Sequence, residues 1–127
     1  MILSFKNLRS LDDFHDLHPN ARLIFKWLIN GGWPVDFPLM ITRIAEPSAD
    51  QKTAIHTSGP PHRAFDLRTM GLSSIEARRI ESRINEAWIY DPTRPNLHVA
   101  LYHDAGSGHH MHIQVHDATR SSAGRDT

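Results

Sequence analysis

The chain has 127 residues, 39% apolar and 22% charged, with fourteen basic and fourteen acidic side chains in balance. That suits one globular domain, able to bury roughly two thirds of its unfolded surface, and it excludes a global field that would draw the chain to nucleic acid or anionic lipid. The absence of cysteine excludes a disulfide framework and a thiolate metal site, so any metal must be held by imidazole and carboxylate.

The opening MILSFKNLRSLDDFHDLHPN has no basic start, long apolar stretch or small-residue cleavage site. No segment approaches the ~20 apolar residues of a membrane span. Synthesis in the cytoplasm without a signal peptide, and no membrane partner, are the expectations. Residues 19–32 read as a first helix, with Ala21, Ile24, Phe25 and Leu28 on one face, Pro19 at its start and Gly31-Gly32 as its stop. Residues 37–44 read as a buried strand between prolines. Loop chemistry follows at 56–61, then a short strand over 63–68.

Ser73 and Glu76 form a capping box for a second helix running to about Trp88, with Ile75, Ile80, Ile84, Ala87 and Trp88 as its apolar stripe. Residues 91–95 make a turn. Two alternating runs, 97–102 and 109–115, flank a Gly-containing loop and read as an antiparallel hairpin. The polar residues 118–127 are expected to be a disordered tail, leaving one domain over 1–117. This order predicts an α+β fold with helices packed on one side of a small, mostly antiparallel sheet.

Histidine is the unusual residue, at ten in the chain, five of them between His98 and His112. In a strand, His110 and His112 project from the same face while Met111, Ile113 and Val115 pack on the other. Asp66 lies between Phe65 and Leu67, an expensive place for a carboxylate unless it is paired or binds a metal. Arg63 or Arg68 could supply the pairing. One carboxylate and two imidazoles, with a fourth position open to water, is the ligand set of a catalytic zinc site. Trp27, Trp33 and Trp88 read as core or pocket wall, and His15 and His18 as surface groups. His98 and His103 are placed on opposite faces of their strand; His103, near the loop, could line the cleft, but neither is assigned to the site. Arg68 reads as a surface ion pair, with a substrate carboxylate as its alternative partner.

Three segments in order carry a family resemblance. They are residues 41–51, the run His62-Arg63-Ala64-Phe65-Asp66-Leu67-Arg68, and Gly108-His109-His110-Met111-His112-Ile113-Gln114-Val115. Across residues 19–116 the chain resembles the Hedgehog-type zinc peptidases, which include D-alanyl-D-alanine carboxypeptidases and L-alanyl-D-glutamate endopeptidases, many from phages. The resemblance implies a zinc-dependent hydrolase of peptidoglycan stem or crosslinking peptides, acting at the cell wall once released or when phage-borne. It implies Zn2+ on Asp66, His112 and a further histidine. The family's usual position for that histidine is Gly59 here, leaving His56, or His62 as the alternative. His110 stands as general base and acid, with His109 as alternative, because His109 occupies the place of the family's glutamate. Arg43 is the candidate for steadying an oxyanion, since Glu46 stands where the family has arginine. These departures keep a second expectation open: a catalytically inactive module on the same fold that binds metal or wall peptide, or a phage structural component.

Overall fold

The computed structural model describes residues 3–5, 14–44, 61–104 and 108–123. Its main sheet has five strands: β1 (Leu3–Phe5), β2 (Leu39–Arg43), β3 (Ala64–Arg68), β5 (Ala100–Asp104) and β6 (His109–Gln114). They lie in the order β1-β2-β3-β6-β5, with β1 parallel to β2 and every other pairing antiparallel. The expected α+β class is therefore what the chain adopts. β1, which the sequence reading leaves unassigned, adds a parallel edge to the expected antiparallel strands.

Helix α1 (Pro19–Trp27) begins where Pro19 indicates, but its N-cap is His18, which is buried rather than a surface group. The His18 Nδ1 accepts from the Asn20 backbone N–H at 3.1 Å, so the proton sits on Nε2, which meets Asp117 at 2.9 Å. The helix gives way to one wider turn over Leu28–Gly32, in which Gly31 takes φ +127°, a conformation costly for any residue with a Cβ.

Helix α2 (Ser74–Ala87) carries both halves of the expected capping box. Ala77, Ile80 and Ile84 are its buried face, whereas Ile75, expected in the stripe, stays exposed in the first turn. Both helices share one buried cluster with Phe65, Leu67, Met111 and Ile113. Each such side chain contributes about 1.5–3 kcal/mol by leaving water. The helices thus cover one face of the sheet and leave the alternate residues of β3 and β6 for the other.

The outer edge of β5 is held by α2 side chains. Asn85 donates to the Ala100 carbonyl at 3.0 Å and accepts from its N–H at 2.8 Å. Glu81 accepts from the Tyr102 N–H at 2.6 Å, and Arg78 donates to the Tyr102 carbonyl at 3.0 Å. Backbone groups that would be left open on an edge strand are satisfied this way, and β5 is fixed along its length.

The domain runs past residue 117. Strand β4 (Trp88–Ile89) pairs with β7 (Arg120–Ser121), inside the stretch expected to be a tail. The physical reason is Thr119, whose buried hydroxyl donates to the Tyr90 carbonyl at 2.7 Å and accepts from the His116 N–H at 2.8 Å. A polar composition did not reveal a buried side chain with two backbone partners. Thr119→Val is expected to cost about 1–3 kcal/mol in urea unfolding, because both partners lose their bond. Asn85→Ala is expected to cost a similar amount. A change within ~0.5 kcal/mol, the usual surface value, would show that these contacts do not hold the strand ends.

Candidate functional site

Strands β3 and β6 pair through five consecutive positions without a shift, placing Asp66 opposite His112 and Arg68 opposite His110. Strands β5 and β6 place His103 opposite His110. Directly opposed residues share a sheet face. Asp66, Arg68, His103, His110 and His112 therefore gather on the face that the helices leave uncovered.

Asp66 is only 3% exposed. Its Oδ1 lies 2.9 Å from His112 Nδ1, and its Oδ2 lies 3.6 Å from His110 Nε2. The other nitrogen of His112, Nε2, lies 3.1 Å from Gln114 Oε1. Gln114 donates its amide N–H to the His98 carbonyl at 2.9 Å, so its oxygen is the atom turned to His112. An amide oxygen can only accept, which assigns a proton to His112 Nε2 from the hydrogen-bond network. Nδ1 and the Asp66 oxygen, 2.9 Å apart, then either share a further proton or flank a metal cation.

His103 completes the cluster, with its ring centroid 4.8 Å from that of His110 and 5.7 Å from that of His112. Burial holds its pKa below the ordinary histidine value, repulsion from His110 and His112 adds to this, and Asp66 and Asp104 oppose it. The sequence reading placed this residue on its strand near the loop but did not assign it to the site. The signal lay in the hairpin: running the ladder on to Asp104 opposite His109 puts His103 across from His110.

The other candidates divide. β2 is bulged, with Ile41 opposite Leu67 but Arg43 opposite Asp66, and this irregularity sets Arg43 beside the cluster. His109 alternates away from His110 and packs 5.0 Å from the Tyr102 ring, so of the two only His110 approaches Asp66. His62 is buried in a backbone bridge to Leu17, before the regular part of β3. It lies four positions before Asp66, about 13 Å at Cα along an extended chain. His56, Gly59 and Glu46 lie outside the described residues. Neither suggested arginine pairs with Asp66: Arg63 reaches Asp117 at 3.3 Å, and Arg68 reaches methionine sulfurs. Among the described residues no group of three or more His, Asp or Glu side chains is arranged to hold a metal ion.

In metal-free protein the His103 ring is expected to titrate below the ordinary 6.5 by NMR, and lower still in Asp66→Asn, which removes the opposing carboxylate. The unfolded chain then takes up this proton before the folded one. Stability falls as pH drops through the ordinary histidine range, and His103→Gln flattens that slope. A His103 midpoint at or above 6.5 would contradict the clustering.

Comparison of the chain with protein-family models, curated proteins and solved structures finds no significant match, so the chemistry of this site must be argued from its own residues.

Proposed function

We propose that the protein is a zinc-dependent peptidase that hydrolyses amide bonds in peptidoglycan stem or crosslinking peptides. The observation that carries this reading is the buried Asp66 carboxylate with His112 Nδ1 at 2.9 Å and His110 Nε2 at 3.6 Å on one sheet face, a carboxylate–imidazole set able to hold a cation. The donor set fits zinc, which takes imidazole and carboxylate readily. Gln114 fits as well: a ligating imidazole commonly gives its second N–H to an outer acceptor that fixes its tautomer. Asp66 and His112 would hold the ion, with His56 as the third ligand.

Zinc bound there supplies a water of lowered pKa and a polarised substrate carbonyl. The chain's own groups do the rest. His110, on the same face and beside Asp66, takes a proton at its imidazole and returns it to the leaving amine. Arg43, set next to Asp66 by the bulge, offers its charge to the oxygen on which negative charge develops. Peptidoglycan as substrate rests on the sequence resemblance, as does action at the cell wall by released or phage-borne protein. Among the described residues no helix is long and apolar enough to cross a membrane.

A second reading, a wall-peptide-binding module that does not hydrolyse, rests on Glu46 and His109 standing where the family has arginine and glutamate. Elemental analysis and muropeptide digestion separate the two. The peptidase reading expects one zinc per chain, lost in Asp66→Ala and His112→Ala, and at least a ~100-fold fall in turnover for His110→Ala. Full zinc content in either ligand variant would remove the site assignment. Zinc uptake or peptide binding without cleavage would favour the module.

A further inference from the structure

A pocket of about 540 Å³ opens beside the cluster, lined by Met40, Thr42, Arg68, Met70, Tyr102 and His110 among others. The volume accommodates a short peptide segment. No carboxylate side chain is among the described residues that line it. Arg68 stands on the same sheet face as Asp66, directly across from His110. Among the described residues its guanidinium donates only to sulfur, to Met40 Sδ at 3.7 Å and Met70 Sδ at 3.2 Å. Thioether sulfur is a weak acceptor, so a fork shaped for a carboxylate is left with acceptors far below its capacity. Met70 is itself exposed, so a better acceptor can displace it without disturbing the core.

We infer that this pocket is a carboxylate-recognition subsite in which Arg68 grips the free carboxylate of a peptide whose backbone runs over His110. A planar guanidinium holds both oxygens of a carboxylate at once, and the methionines and Tyr102 contact the apolar part of the same residue. The inference rests on the peptidase reading only for orientation. It puts the carboxylate on the leaving side of the bond, next to the group that returns the proton, and makes a carboxyl-terminal residue the piece released. Binding itself needs neither metal nor turnover.

The test is an NMR titration of the whole chain with three probes: N-acetyl-D-alanyl-D-alanine, its C-terminal amide, and an amidated peptide with a glutamate side chain. The free acid should bind at least tenfold more tightly than its amide and perturb Arg68 and His110. Arg68→Gln should erase the preference and Arg68→Lys should keep part of it, each with an unchanged far-UV spectrum. Tighter binding of the glutamate peptide than of the free acid would overturn the terminal assignment. Equal binding of acid and amide, a preference that survives Arg68→Gln, or no binding of the acid would each overturn the subsite. Hydrolysis of the same probes by zinc-loaded protein is read separately. An acid bound through Arg68 but left uncut counts against the peptidase and leaves the subsite standing. Cleavage indifferent to Arg68 and to amidation does the reverse.

Discussion

A carboxylate with almost no access to water, in the middle strand of a sheet, organises this molecule. Asp66 sits between Phe65 and Leu67, both fully buried, on a strand paired on each side. Its charge cannot be dispersed into solvent and must be met by groups on neighbouring strands. Among those groups are His112 and His110, which exist as a pair on one face because strand side chains alternate. A slip of one residue between β3 and β6 would turn Asp66 into the helices and both imidazoles away from it. Register and site are therefore one constraint. Burial of Phe65, Met111 and Ile113 against α1 and α2 enforces it from the opposite face.

A second layer of polar contacts refines the first. Gln114 is turned by the His98 carbonyl, and it in turn fixes the tautomer of His112. The direction of that imidazole is thus set three groups away from the carboxylate it faces. On the far side, Glu81 and Asn85 hold the edge of β5, and the hairpin register that follows brings His103 onto the cluster. A surface helix reaches the site this way without touching it. The bulge in β2 does the same for Arg43, through backbone rather than side chain.

The result is a polar face with a graded character. At its centre are a buried carboxylate and two imidazoles; toward one end lie an exposed arginine and methionine sulfurs around an open pocket. The face thus passes from a desolvated centre to an open, solvent-reached rim.

The sequence by itself determined the local features. Pro19 and the Ser73–Glu76 box located the helix starts, alternation put Met111 and Ile113 opposite His110 and His112, and an apolar setting marked Asp66 as costly. These signals are local because capping, periodicity and burial cost are read from neighbours in the chain. Only the tertiary structure decided the rest. His103 entered the cluster through cross-strand register, Arg43 through a bulge, and buried His18 is tied by a hydrogen bond to Asp117, far along the chain. Thr119 closed the domain through two hydrogen bonds, one of them to Tyr90 far back in the chain. Which residues face one another across strands depends on register and long-range hydrogen bonds, and neither has a signature in consecutive residues.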